Sequence, residues 1–321
     1  MSTTRNAAIP VVYIGGASRS GSTLLEQVLA AAARLTPAGE LRSVWRRGFI
    51  ENHLCGCGSE FRLCPFWQGV FGDVFDRSDD LDPEAILRLG ARVDRSRHIP
   101  RLAVPALRGE RFEADLERYI AILRRLYATI GARSGGAGIV DSSKEASYGL
   151  LLSLIPGLRV HLVHLVRDSR GVAYSRLRWK VNPQVHWKRQ YMRRYSPQST
   201  AVEWTRRNVL TEVVGRHAET YVRIRYEDFT RDPDEVVQDI LQRLSLDGGI
   251  DAEEPGRLVR GHTVSGNPHR FDCRRPIEPD MEWRSNMRRS SQELVRALTL
   301  PLLLRYGYVG RGHSRTRSDV H

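Results

Sequence analysis

Residues 10–24 (Pro10, Val11, Val12, Tyr13, Ile14, Gly15, Gly16, Ala17, Ser18, Arg19, Ser20, Gly21, Ser22, Thr23, Leu24) constrain the fold more than any other stretch of this chain. The apolar run from Val11 to Ile14 predicts a buried parallel strand. A loop of small residues follows from Gly15 to Ser22, and a helix then begins with Leu24, Leu25, Val28 and Leu29 on one face. Strand, small-residue loop and helix in that order form an anion cradle, because loop N–H groups and the positive helix end point at the same place. Gly16 and Gly21 permit close approach and positive φ, and Ser20, Ser22 and Thr23 add hydroxyl donors. Both glycines are in register with the pattern G-x-x-x-x-G-K-[ST], but Ser22 stands where a triphosphate-binding loop carries lysine. The only cation in the loop is Arg19. An ordinary Gly/Ser turn is the alternative for this stretch taken alone.

Three more short apolar runs, Gly138 to Val140, Val160 to Val166 and Tyr221 to Arg225, are each preceded by a helical pattern. The alternation predicts an α/β, P-loop-like, three-layer fold with a central parallel β-sheet flanked by helices. Asp82-Pro83-Glu84 reads as a capped helix start, as does Asp232-Pro233-Asp234 for a helix running to Leu244. Glu110 to Ile130 and Gln292 to Leu304 read as amphipathic helices. Thr36 to Glu40 is expected to turn and Leu41 to Phe49 to resume as helix. The aromatic face of 65–75 (Phe66, Trp67, Phe71, Phe75) fits the core better than a pocket wall. Residues 94–108 read as an irregular, basic, mobile segment, 181–198 as a loop over the site, and 260–285 as loop. With no internal repeat or linker, residues 1–310 are expected to form a single domain and 311–321 a disordered tail.

The net charge of +13 over 321 residues rests on arginine, since lysine occurs only at 144, 180 and 188. Uniform use of arginine explains this, and so does a surface that attracts a polyanionic small ligand. The arginines are scattered and no nucleic-acid-binding module is present, so no nucleic-acid partner is expected. No apolar run approaches the roughly 18 residues of a membrane span, and no signal peptide is evident, so a cytoplasmic location is expected. Cys55, Cys57 and Cys64 lie close together with His53 just upstream, while Cys273 is remote. Zinc, a loop of structural thiols and a redox-sensitive disulfide are all open readings. The Cys55–Cys57 spacing is tighter than a C-x2-C knuckle and favours the latter two, so no metal is expected.

Arg167 ends the third apolar run, and Ser175 lies eight residues on, about 12 Å along a helix axis, with Asp168 placed as the N-cap between them. Here a resemblance emerges. Residues 14–24 resemble the 5′-phosphosulfate loop of sulfotransferases that use 3′-phosphoadenosine 5′-phosphosulfate (PAPS). The run Leu165-Val166-Arg167-Asp168-Ser169-Arg170-Gly171-Val172-Ala173-Tyr174-Ser175 resembles their 3′-phosphate motif. A third segment, Ile224-Arg225-Tyr226-Glu227-Asp228-Phe229 followed by Asp232-Pro233, resembles one whose tyrosine lies near the adenine. The three occur in family order, and the chain is identified as a bacterial member of the PAPS-dependent sulfotransferases. Its loop resembles those of the tyrosylprotein and carbohydrate branch more than those of the cytosolic aryl enzymes, which carry a lysine there.

The resemblance implies that Arg19, Ser20, Gly21, Ser22, Thr23 and Leu24 hold the phosphosulfate, and that Arg167, Ser175 and Tyr226 hold the rest of the nucleotide. In the tyrosylprotein branch the general base is a glutamate about twenty residues beyond the loop arginine, and Glu40 stands at that place. The alternative for Glu40 is a helix-start residue favoured by the macrodipole. Lys144, just after a strand, resembles the family's catalytic lysine, which with Arg19 stabilises the leaving phosphate; otherwise it is a solvated surface residue. Arg270 is the best match to the C-terminal region that closes over the 3′-phosphate. The implied reaction is metal-independent in-line transfer of a sulfuryl group to a small-molecule hydroxyl acceptor, leaving adenosine 3′,5′-bisphosphate, with a place in secondary metabolism. A P-loop kinase using ATP and Mg²⁺, with Asp141 as its metal-binding aspartate, is the rival reading.

Overall fold

The structure is a computed structural model and describes residues 8–75, 82–135, 138–246, 258–274 and 276–309. Five strands form one sheet: β1 (Ile9–Gly15), β2 (Thr36–Gly39), β3 (Ile139–Lys144), β4 (Leu158–Val166) and β5 (Thr220–Arg225). Their order is β2-β3-β1-β4-β5 and every pairing is parallel. The helices that position the site are α1 (Ser22–Ala32), α2 (Pro65–Val74), α3 (Pro83–Val93), α4 (Ile99–Ala103), α5 (Glu110–Arg133), α6 (Ala146–Ser153), α7 (Ser169–Leu177) and α8 (Pro197–Gly215). They are followed by α9 (Tyr226–Arg231), α10 (Pro233–Arg243), α11 (Trp283–Asn286) and α12 (Arg289–Arg305).

Side chains alternate across β1, so its two faces serve two cores. Val11 and Tyr13 pack with Leu116, Leu123 and Tyr127 of α5 and Leu151 of α6. Val12 and Ile14 pack on the other face with Leu25 and Leu29 of α1 and Ile240 of α10. This is the expected three-layer arrangement. The chain leaves β1 toward β3 and β2 and returns to β4 on the other side. In such open sheets, ligands bind beyond the carboxyl ends of the strands where the order reverses.

Several local expectations hold. Asp82 accepts hydrogen bonds from the amides of Glu84 and Ala85 at 2.9 and 3.0 Å, and Asp168 accepts from Arg170 N at 2.9 Å. Trp67 and Phe71 are buried in the core. Others are corrected. Thr36–Gly39 is a strand, not a turn. It pairs with β3 on one side, and on the other Gly39 bridges Val264 in parallel. Residues 41–50 form a 3₁₀ turn (Leu41–Ser43) and a π-helix (Val44–Ile50) rather than an α-helix. Residues 94–108 are ordered into short helical turns because Ile99 and Leu102 are buried against the core. The tail from Arg311 lies outside the described residues. Among them, no helix is long and apolar enough to cross a membrane.

Candidate active site

Each strand delivers a candidate residue at or just past its carboxyl end. β1 runs into the small-residue loop, β2 into Glu40, β3 ends on Lys144, β4 is followed by Arg167 and β5 by Tyr226. The parallel register aligns these ends: Gly15 pairs with Lys144, and Val166 with Arg225. Residues that are far apart in sequence are thereby gathered at one edge of the sheet.

The loop after β1 is shaped by its glycines. Gly16 (φ 120°) lies so close to Leu165 that a Cβ would sit 2.5 Å from its carbonyl oxygen, and a Cβ on Gly21 (φ 96°) would sit 2.5 Å from the Tyr226 ring. Gly21 caps α1 without a side-chain hydrogen bond, and the first turn carries no acidic residue. That leaves the helix end suited to an outside anion. Ser20 is buried and its Oγ has no partner. Arg19 also lies at positive φ (70°), and its guanidinium reaches Met192.

Glu40 and Lys144 meet across 104 residues of sequence. Lys144 Nζ donates to Glu40 Oε1 at 2.8 Å and to the Ser142 carbonyl at 2.6 Å. Arg47 Nη1 lies 3.2 Å from Glu40 Oε2, and Ser265 Oγ donates to the same oxygen at 3.3 Å. Burial alone would raise the Glu40 carboxyl, but Lys144 and Arg47, with the Lys144 and Ser265 hydrogen bonds, outweigh it and hold it at about 2. Lys144 sits at φ 67°, a conformation that costs a non-glycine residue about 1–3 kcal/mol.

Arg167 is buried. Its guanidinium lies over the Tyr226 ring at 4.5 Å, donates to the Arg19 carbonyl at 3.1 Å and pairs with Asp280 at 3.1 Å. Asp168, its sequence neighbour, pairs instead with Arg170 at 2.7 Å. Ser175 is buried two turns into α7.

These groups surround a cavity of about 1310 Å³. Of the predicted residues, all but Ser20 and Arg270 line it. Arg270 is turned into the protein, donating to the carbonyls of Thr263 (2.7 Å), Ser265 (2.6 Å) and Leu54. It therefore braces the segment over α1 rather than facing the cavity. Segment 181–198 does reach the cavity, through residues such as Gln184, Trp187 and Tyr191. All three lysines of the chain line it. Lys180 is pushed down to about 8, chiefly by burial and then by Arg178 and Arg19.

Sequence reasoning missed Glu26, Arg47, Ser265 and Asp280. Glu26 is buried on α1 and accepts from Gly39 N at 2.5 Å and Ser142 Oγ at 2.8 Å, so it ties α1 to the ends of β2 and β3. Burial outweighs those hydrogen bonds and raises it to about 7. A carboxylate on an otherwise apolar helix face was a readable signal. Ser265 and Asp280 reach the site only through the tertiary path of the chain, so spacing could not reveal them. Asp141 is fully buried and bonded to Tyr127 and Ser143, and it does not line the cavity. The kinase reading thus loses its metal-binding aspartate.

A model of the sulfotransferase family matches residues 85–249, a little over half of the chain, a span that includes Lys144, Arg167 and Tyr226. Among solved structures, the sulfotransferase domain of the Synechococcus PCC 7002 olefin synthase is 20% identical at a TM-score of 0.52. That alignment covers 97% of this chain and 99% of the other. A sulfotransferase domain from the curacin biosynthetic pathway is 17% identical at a TM-score of 0.49, covering 94% and 98%. No curated protein matches the chain. The first of these structures shares the fold, and the match over 85–249 gives the family: the chain belongs to the sulfotransferase family and is a PAPS-dependent sulfotransferase.

Proposed function

We propose that the chain, with residues up to 310 acting as one catalytic domain, moves the sulfuryl group of PAPS to a hydroxyl of a small-molecule acceptor. The observation that carries this reading is the Glu40–Lys144 pair, held at the ends of β2 and β3 in a cavity that also takes in the anion loop and Arg167. The cradle suits the 5′-phosphosulfate: uncapped α1, Ser22, Thr23 and Arg19 surround one anionic group. Arg167 and Ser175 take the 3′-phosphate, and Tyr226, packed on Gly21, lies along the adenine.

Glu40 accepts the acceptor's proton as its oxygen bonds to sulfur. The bond between sulfur and the bridging oxygen breaks, and its electron pair leaves with adenosine 3′,5′-bisphosphate. Lys144 and Arg19 balance the charge that builds on that phosphate. For this, Lys144 must exchange its contact with Glu40 for one with the nucleotide, which frees the carboxylate. Both cations lie at positive φ, a strained backbone of the kind that collects at reacting sites. Trp187, Tyr191, Arg46 and Lys188 of the cavity suit an acceptor carrying a planar or anionic group.

Label transfer from sulfate-labelled PAPS to a panel of phenols, alcohols and sugars tests the reading. Labelled product with at least one hydroxyl compound supports it. Turnover of ATP with Mg²⁺ and no label transfer to any of them overturns it.

A further inference from the structure

Outside the active site, four potential metal ligands converge. Cys55, Cys57 and Cys64 are joined not by His53, which bonds to Glu51 at 3.1 Å, but by His262, 198 residues beyond Cys64. All four ligand atoms lie within 4.8 Å of one another. Cys57 Sγ is 3.8 Å from Cys64 Sγ, and His262 Nδ1 is 3.2 Å from Cys64 Sγ and 3.9 Å from Cys55 Sγ. A tetrahedral ion with Zn–S bonds of about 2.3 Å and a Zn–N bond of about 2.0 Å sets its ligands about 3.5–3.8 Å apart. A disulfide needs sulfurs about 2.05 Å apart, and the cysteines are free thiols. We propose that Cys55, Cys57, Cys64 and His262 bind one Zn²⁺ in a tetrahedral, structural Cys₃His site.

The surroundings are built for such a site. His262 is held on both sides: Trp67 Nε1 donates to its carbonyl at 3.0 Å, and Gly56 N donates to the Thr263 carbonyl at 3.0 Å. The Phe66 ring stacks on the imidazole at 4.8 Å with an angle of 5°. A Cβ on Gly56 would sit 2.3 Å from Thr263 Oγ1, so glycine between the first two cysteines lets the loop approach the histidine segment. That approach answers the objection raised by the tight Cys55–Cys57 spacing.

The ion would staple the 55–64 loop to the 262–265 segment. That segment bridges Gly39 of β2 at Val264, accepts the Glu40 amide at Val264 O (2.7 Å) and carries Ser265 to the Glu40 carboxylate. The site is thus a positioning device for the general-base candidate and takes no part in the chemistry.

The test is metal analysis of the full chain, purified without a histidine tag, followed by replacement with Co²⁺. About one zinc per chain and the visible absorption of tetrahedral thiolate-bound cobalt are expected. Cys57→Ser and His262→Ala should bind less or alter that spectrum, whereas Cys273→Ser, outside the cluster, should not change it. Less than about a tenth of an equivalent of zinc with no cobalt spectrum would overturn the proposal. So would a Cys57–Cys64 disulfide in the freshly purified chain. The wild-type measurements decide the matter even if a variant fails to fold, and they are independent of sulfuryl transfer.

Discussion

Glu40 is an ionised carboxylate at any physiological pH, yet a weak base while Lys144 and Arg47 hold it at about 2. In the proposed mechanism, basicity returns as Lys144 is drawn to the nucleotide. Removing one fixed donor of this kind typically costs roughly 3–4 kcal/mol of transition-state stabilisation. Glu40→Gln and Lys144→Ala are each expected to lower kcat at least about a hundredfold with the melting profile retained. Steady-state kinetics with PAPS checks this, and near-normal turnover removes the residue from the mechanism. Arg47 acts on the same carboxylate by charge. In Arg47→Ala the Glu40 carboxyl rises, so the acid limb of kcat/KM, where the base gains its proton, moves to higher pH. An unmoved limb in a pH–rate profile would show that Glu40 is not the titrating base.

At the scale of elements, the site depends on where strands end. β1, β4 and β5 were legible because their apolar runs are bounded by turns and helices, and β3 was legible as far as Val140. β2 was not. Thr36-Pro37-Ala38-Gly39 lacks strand formers, and its extended form is imposed by pairing with β3 and by the Val264 bridge. The anion loop and the Arg167–Ser175 spacing were readable because they are local. Arg270 was misplaced because its burial depends on carbonyls of Leu54, Thr263 and Ser265. Glu26 links α1, β2 and β3 and has a measurable signature. Its folded value of about 7 exceeds the ordinary 4.5, so the folded state binds the proton more tightly. Its contribution to stability is therefore full below about 4.5 and is lost as pH rises toward about 7. Glu26→Gln should flatten that fall relative to wild type in thermal melts across the window. An identical pH dependence in both proteins would contradict the assignment.

For the whole molecule, the +13 charge divides into two patterns. Arginine is spread over the chain, whereas all three lysines face one cavity. Such a cavity draws an anionic co-substrate by long-range attraction. Stopped-flow association of adenosine 3′,5′-bisphosphate should slow as ionic strength rises. Its affinity should also weaken as pH passes about 8, where Lys180 loses its proton. In Lys180→Met the pH effect should vanish, and its persistence would assign it elsewhere. In the proposed reading, the strand ends assemble a PAPS site with Arg167 at the 3′-phosphate. The most direct test is calorimetric titration of wild type and Arg167→Ala with adenosine 3′,5′-bisphosphate and with adenosine 5′-monophosphate, without added metal. The 3′-phosphate is expected to tighten wild-type binding at least about tenfold, as befits a charge-assisted contact of roughly 1.5–3 kcal/mol, and Arg167→Ala is expected to erase the difference. Equal affinity of wild type for the two nucleotides, or a preference that survives in Arg167→Ala, would contradict it.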